Sequence, residues 1–124
     1  FTALENVYLA RLSIDDNKKK AVDNAKNIIQ KMGLINRINH YPSELSVGEM
    51  QRIAIARALI NEPQIILADE PTGNLDTGTE AKIIELLAQL HRDRNLTLLV
   101  ATHDDVVAAA AQRIVRLKDG RVAD

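Results

Sequence analysis

Residues 64–76, QIILADEPTGNLD, constrain the fold of this chain more than any other stretch. The apolar residues 65–68 lead directly into the adjacent carboxylates Asp69 and Glu70, and Pro71 follows. A short apolar run bounded by turn residues is typical of a buried strand. The sequence therefore predicts a strand that ends on a pair of acidic side chains.

A second apolar run, residues 96–101, lies beyond a helical segment and ends on Thr102 and His103. That segment has four apolar residues on one face, at Ile83, Ile84, Leu87 and Leu90. A strand, helix, strand order predicts parallel strands joined by a right-handed crossover. Ligands of parallel sheets bind beyond the carboxyl ends of the strands, so we expect His103 to lie beside the acidic pair.

The chain divides near residue 62 into a helical part, residues 1–61, and a strand–helix part, residues 62–124. In the first part we expect an amphipathic helix between Asp15-Asp16 and Gly33, and a largely buried helix over residues 47–61. In the second we expect a short helix over residues 105–111, a strand over residues 113–117 and a turn at residues 118–121. The predicted fold class is α/β.

Composition excludes several classes of protein. The formal net charge of −1 over 124 residues gives no electrostatic reason to expect nucleic acid as a partner. Cysteine is absent from the sequence, so there is no disulfide framework and no thiolate metal site. No apolar run approaches the roughly 18 residues of a membrane span.

The acidic pair suggests phosphate chemistry. Neighbouring strand residues point to opposite faces, so Asp69 could hold a Mg2+ ion that bridges nucleotide phosphates while Glu70 accepts a proton from an attacking water. The simpler alternative is that the pair ends a strand and caps the turn at Pro71. His103 has an alternative too, as a hydrogen-bonded structural residue.

Two helix starts allow a structural and a functional interpretation. Ser46 and Glu49 have the spacing of a capping box, but the same helix terminus could bind an anion, with Gly48 allowing a phosphate close to the backbone. Asp76 or Thr77 is expected to cap the next helix, with Glu80 completing a box from Thr77.

Taken together, LSVGEMQRIAIARALINEPQIILADEPTGNLD and the later VATHD closely resemble the ATP-binding-cassette (ABC) ATPases. The wording LADEPTGNLD is most similar to the branch that serves lipoprotein release, macrolide export and cell division. In the resemblance, residues 45–49 correspond to the signature motif and residues 65–69 to the Walker B strand. Val47 and Glu49 replace the Gly and Gln of the usual LSGGQ, so we expect weaker contact with nucleotide.

The resemblance implies an incomplete P-loop NTPase (RecA-like) parallel sheet core plus a helical subdomain, lacking the Walker A strand and loop. Gly73 and Gly78 have the glycine spacing of that loop, but Thr79-Glu80 follows instead of Lys-Ser/Thr. Because that segment is missing, we expect the second half of a nucleotide-binding domain, and the start at Phe1 rather than Met suggests a piece of a longer chain. The strand missing beside residues 113–117 should leave an exposed sheet edge, through which the chain self-associates unless its last strand repacks.

The resemblance also implies a role for each motif. ATP and Mg2+ would be the cofactors. The partners would be a second nucleotide-binding domain, in a head-to-tail dimer, and transmembrane permease subunits. The protein would lie at the cytoplasmic face of the cell membrane. The implied residues are Asp69 for the metal; Glu70 and His103 for catalysis; Ser46, Val47, Gly48 and Glu49 for the partner's ATP; and Asn74, Leu75 and Asp76 for the D-loop between subunits. The intact protein would be an ABC-type ATPase that drives transport, and the 124 residues alone would be inactive.

Two other functions remain open at this point. One is a non-transport ABC-superfamily ATPase acting in DNA repair or translation, which the weak basicity and the compact helical part disfavour. The other is a non-catalytic interaction fragment.

Overall fold

The computed structural model describes residues 1–94 and 96–123. The helical part contains α1, Ala3–Leu12; α2, Lys18–Lys31; and α3, Val47–Leu59, with short 3-10 turns at Ile35–Arg37 and Pro42–Glu44. It is followed by β1, Ile65–Asp69; α4, Thr77–Arg94; β2, Thr97–Ala101; α5, Asp105–Ala109; β3, Arg116–Lys118; and β4, Arg121–Ala123.

Helix α1 is held by hydrogen bonds at both ends. The sequence pattern did not predict it as a separate helix. At its start, Thr2 and Glu5 form a capping box, and the amide of Ala3 donates to the carbonyl of His40 at 2.8 Å. Near its end, the side-chain amide of Asn61 donates to the carbonyl of Ala10 at 3.0 Å. These contacts hold α1 against the connection before α3 and against the residues that follow α3.

Helices α2 and α3 agree with the predicted segments. Helix α2 starts one residue after its cap, Asn17, rather than at the expected Asp15-Asp16, and the chain turns away at Gly33 with φ +75°. Helix α3 was expected to be largely buried, but it is buried on one face only, and Val47, Met50 and Arg57 are exposed. The buried apolar residues of these two helices are Ala21, Ala25, Ile28, Ile29, Ile53, Ile55, Ala56 and Leu59.

Strands β1 and β2 are parallel, as predicted, and their register pairs Ile65 with Thr97 and Asp69 with Ala101. On α4, Ile83, Leu87 and Leu90 are buried and join the same apolar core as the helical part. The sheet itself is covered unequally, since Ile66 is buried whereas Leu67 is 74% exposed.

The last strand differs from the expectation that it belongs to the same sheet as the other strands. Strand β3 pairs with β4 in an antiparallel hairpin, and β1 pairs with β2 in a separate sheet. The turn between β3 and β4 has positive φ at both Asp119 (+50°) and Gly120 (+73°), and an Asp-Gly pair favours this hairpin turn. The predicted turn is thus confirmed, and the residues after it form a strand rather than a tail.

Candidate functional site

The carboxyl ends of β1 and β2 lie side by side. Asp69 is the last residue of β1 and is in register with Ala101, the last residue of β2. The amide of Glu70 then donates to the carbonyl of Ala101 at 2.9 Å. Glu70 has φ +45°, a left-handed conformation that residues other than glycine adopt rarely and often at functional sites. The chain therefore turns sharply directly after Asp69.

The structure brings Glu70 and His103 together. The Oε1 atom of Glu70 accepts a hydrogen bond from the amide of His103 at 3.0 Å and lies 2.7 Å from its ring Nδ1. The Oε2 atom accepts a hydrogen bond from the hydroxyl of Thr102 at 3.1 Å. Two neighbouring residues after β2 therefore orient both oxygens of one carboxylate.

These contacts shift the protonation equilibria of both groups. The hydrogen bond from His103 lowers the pKa of Glu70, with a smaller contribution from Thr102. In turn, the hydrogen bond to Glu70 and the negative charge on it raise the pKa of His103. The His103 side chain is 90% exposed, so solvent screens this pair and its main effect is to orient the two groups.

Asp69 is exposed at the end of β1. Among residues 1–94 and 96–123, no cluster of three or more His, Asp or Glu side chains is arranged to hold a metal ion. Proteins often bind Mg2+ through one or two carboxylates together with the phosphates of a substrate. Asp69 therefore fits a magnesium ion that arrives with phosphates, rather than a metal site made by protein ligands alone.

Asp76 caps α4, which was one of the two alternatives from the sequence. Its Oδ1 atom accepts hydrogen bonds from the amides of Gly78 at 3.1 Å and Thr79 at 3.0 Å, and its Oδ2 accepts the hydroxyl of Thr79 at 2.6 Å. The bonds from Thr79 are the largest causes that lower the pKa of Asp76. Thr77 lies inside the first turn of α4. Asn74, two residues before the cap, has φ +64°.

The predicted capping box at the start of α3 is present. The hydroxyl of Ser46 accepts the amide of Glu49 at 3.2 Å, and Glu49 Oε2 accepts the amide of Ser46 at 2.8 Å. Within the part of the chain that the structure describes, the amides of Val47 and Gly48 donate to no protein acceptor. These two N–H groups at the positive end of a helix are the feature that suits an anion.

Gly48 has a packing role that the sequence did not reveal. A Cβ atom at this position would lie 2.5 Å from Cγ2 of Thr79, much closer than carbon atoms approach each other. The start of α3 therefore rests against the first turn of α4, beside Asp76. No local pattern could have shown this contact, because the two residues meet only in the folded chain.

Glu49 has a second partner that sequence analysis missed. The Nε atom of Arg37 donates to Oε1 of Glu49 at 3.1 Å. The pKa of Glu49 is lowered chiefly by the hydrogen bond from Ser46, and also by Arg37. The Glu49 carboxylate, at a position where the resembling family usually has glutamine, is therefore paired.

A half-open apolar groove lies between α1, the Pro42–Glu44 turn and α3. Its lining residues are Ala3, Asn6, Pro42, Leu45, Met50, Ile53, Ala54 and Arg57.

Within the described residues, no hydrogen bond links the start of α3 to Glu70 or His103. By their hydrogen bonds, the predicted site residues form three sets: Glu70 and His103 at the strand ends, Ser46 and Glu49 at the start of α3, and Asp76 at the start of α4.

Comparison with known proteins shows the family to which this chain belongs. The family model described as ABC transporter matches residues 2–73. A solved dimeric structure of the bacterial ABC transporter cassette MJ0796 superposes with a TM-score of 0.85 at 43% identity, covering 100% of this chain and 55% of that one. The chain belongs to the ABC transporter family.

Two curated relatives are similar along nearly the whole chain. The lipoprotein-releasing system ATP-binding protein LolD of Syntrophotalea carbinolica is 49% identical over 98% of this chain and 54% of that protein. The macrolide export ATP-binding/permease protein MacB of Rhodopirellula baltica is 50% identical over 99% of this chain and 18% of that protein. The chain thus spans about half the length of LolD and a smaller share of MacB.

Proposed function

We propose that the intact protein is the ATP-binding and ATP-hydrolysing subunit of an ABC transporter, and that this chain is the part of its nucleotide-binding domain that follows the Walker A loop. The observation that carries the proposal is the hydrogen-bonded pair of Glu70 and His103 at the ends of adjacent parallel strands. An acid and an imidazole held there are placed where open parallel sheets bind ligands.

In this proposal each strand-end residue has its own task. Asp69 would hold a Mg2+ ion bound to ATP, and the ion would supply a positive charge to the phosphates. Glu70 would orient the attacking water and accept its proton, and such help is typically worth about 10²–10⁴ in rate. His103 would contact the γ-phosphate through its ring. The ring would then turn from Glu70 toward the nucleotide.

The start of α3 would act on the nucleotide of a second subunit. Ser46, Val47, Gly48 and Glu49 form the signature motif of the proposal, and the free amides of Val47 and Gly48 offer donors for phosphate oxygens. Residues 74–76 would form the D-loop between subunits. The contact of Gly48 with Thr79 supports a link between these two motifs within one subunit.

The helical part, residues 1–61, would contact the membrane permease, and residues 62–124 would form the catalytic part. The apolar groove between α1 and α3 is the surface that best supports this assignment, because an amphipathic helix of a partner binds such grooves. Among the described residues, no helix has both the length and the apolar character to cross a bilayer. In this proposal, the permease holds the chain at the cytoplasmic face of the membrane.

The two curated relatives support placement in the branch of lipoprotein-releasing and macrolide-export systems. The alternative in DNA repair or translation has less support, because the formal net charge is −1. Purification of the full-length protein from detergent-treated membranes should recover a permease and no nucleic acid. Recovery of nucleic acid without a permease would favour the alternative.

The decisive variant is Glu70→Gln in the full-length protein. It keeps the size and polarity of the side chain but removes the proton acceptor, so we expect ATP binding to persist while kcat falls about 10²-fold or more. Steady-state phosphate release and nucleotide binding measure the two effects. Glu85→Gln, on the exposed face of α4, is the matched control for loss of one carboxylate. Substantial hydrolysis by Glu70→Gln would contradict the catalytic role.

For the 124 residues by themselves we propose a non-catalytic state. They contain no G-x-x-x-x-G-K-[ST] loop, the segment that cradles nucleotide phosphates in P-loop proteins. Calorimetry should detect no tight binding of MgATP to the chain. The uncovered edges of the β1–β2 sheet also favour self-association.

A further inference from the structure

Arg37 belongs to none of the motifs discussed above, yet it contacts the signature segment directly. It ends the Ile35–Arg37 turn, and its Nε atom donates to Oε1 of Glu49 at 3.1 Å. Its Nη1 atom also lies 3.3 Å from Nε2 of His40. The guanidinium therefore contacts two side chains, although the Arg37 side chain is 47% exposed.

Glu49 is held from two directions. One carboxylate oxygen accepts the bond from Arg37, and the other accepts the amide of Ser46 at 2.8 Å. The side chain of Glu49 is only 26% exposed, so its charge lies close to the helix start. A negative charge in the first turn interacts favourably with the helix dipole, but it also repels any second anion that approaches the same terminus.

We propose that Arg37 is a positioning residue that neutralises Glu49 and turns it aside, so that the start of α3 can receive the phosphates of a nucleotide held by a second subunit. The inference rests on the proposed function, in which the signature segment contacts nucleotide. A glutamine at position 49 would carry no charge and would need no such partner. Arg37 should therefore matter for nucleotide binding only while residue 49 is a glutamate.

This dependence distinguishes the proposal from an ordinary surface ion pair. Such a pair would add slightly to stability and would leave the Michaelis constant unchanged. A neutralising role instead predicts a specific rise in KM for ATP, with kcat maintained, because phosphate binding is impaired while the proposed catalytic residues that follow β1 and β2 are unchanged. The rise should be larger at low ionic strength, where charges are less screened.

The test is a double-mutant cycle in the full-length protein, using Arg37→Gln, Glu49→Gln and the double variant. We expect Arg37→Gln to raise KM for ATP about fivefold, which corresponds to a partly exposed charge pair. In the Glu49→Gln background, adding Arg37→Gln should leave KM equal to that of the Glu49→Gln single variant. Arg37→Lys should restore part of the loss, because it returns the charge but not the geometry of the guanidinium.

Lys26→Gln is the matched control, because Lys26 is an exposed cation on α2 in the same helical part. It should leave KM close to that of the parent. An equal effect of Arg37→Gln in both backgrounds, or a fall in kcat with KM unchanged, would overturn the inference while leaving the proposed function intact. A parent protein without any ATPase activity would instead overturn the proposed function, and this inference with it.

Discussion

The helical part and the strand–helix part of the chain bury their apolar residues to different extents. In the helical part, large side chains such as Ile29 and Leu59 are almost completely buried among α1, α2 and α3. In the other part, Leu67 on β1 is 74% exposed and Leu99 on β2 is 64% exposed, on the face of the sheet opposite Ile66. The β3–β4 hairpin is largely exposed as well.

This difference shows which part supplies its own packing partners. Among the described residues, the three helices of the first part pack against each other, whereas α4 and the helical part cover only one face of the β1–β2 sheet. Uncovered apolar surface of this kind usually marks a contact with another segment or chain. We propose that the rest of the nucleotide-binding domain covers the exposed face in the intact protein.

The sharpest test compares the same substitution in both parts. Leu59→Ala removes a side chain that is 1% exposed, and it should lower the free energy of unfolding by about 3 kcal/mol through lost burial and a residual cavity. Leu67→Ala should change it by about 0.5 kcal/mol or less, because the side chain is already in solvent. Urea denaturation of the 124-residue chain measures both.

The same two substitutions, made in the full-length protein, test whether another segment covers the exposed face of the sheet. There, Leu67→Ala should become clearly destabilising if another segment covers β1. An unchanged midpoint in both proteins would contradict the proposal that this face is covered.

The contact between α3 and α4 joins the two parts and gives the next largest effect. Gly48→Ala places a methyl group 2.5 Å from Cγ2 of Thr79, and such overpacking should lower the free energy of unfolding by about 1–3 kcal/mol. Thr79→Ser removes Cγ2 but keeps the hydroxyl that donates to Asp76. The double variant should therefore recover much of the loss, as measured by denaturation. No recovery would mean that Thr79 is not the obstacle.

The Glu70–His103 pair gives the smallest effect, because it is exposed. Glu70 raises the pKa of His103 above its ordinary value of 6.5, and His103 lowers the pKa of Glu70 below 4.5. The contribution of His103 to stability is thus complete below about pH 6.5 and disappears as the pH rises through its raised pKa. The contribution of Glu70 is complete above about pH 4.5 and disappears as the pH falls through its lowered pKa.

An NMR titration of the His103 ring can measure this coupling. Glu70→Gln should return the pKa of His103 toward its ordinary value, and added salt should do so in part. A His103 titration unaffected by the substitution would show that the pair does not form in solution.

Local signals in the sequence were sufficient for most of the elements, though not for α1 or β4, and for part of the site. The apolar runs before Asp69 and Thr102 predicted parallel strands, and their parallel order predicted that Glu70 and His103 lie together. The box of Ser46 and Glu49 was also predicted, because its spacing is fixed within one helical turn. Each of these features depends on periodicity or on neighbours along the chain.

The features that were missed depend on residues distant in sequence. The contact of Gly48 with Thr79 and the bond from Arg37 to Glu49 form only when separate segments pack together. The resemblance led us to expect β3 in the same sheet as β1 and β2. Instead, the Asp119–Gly120 turn pairs β3 with β4, its neighbour along the chain. The periodicity of apolar residues does not show which segments will contact each other in the folded chain.

The left-handed backbone of Glu70 restricts which amino acids this position can accept. Glycine would adopt φ +45° most readily, but glycine carries no carboxylate to meet Thr102 and His103. A β-branched side chain would be strained there. Backbone conformation therefore favours glycine at this position, whereas the proposed catalytic role requires the carboxylate of the glutamate found there.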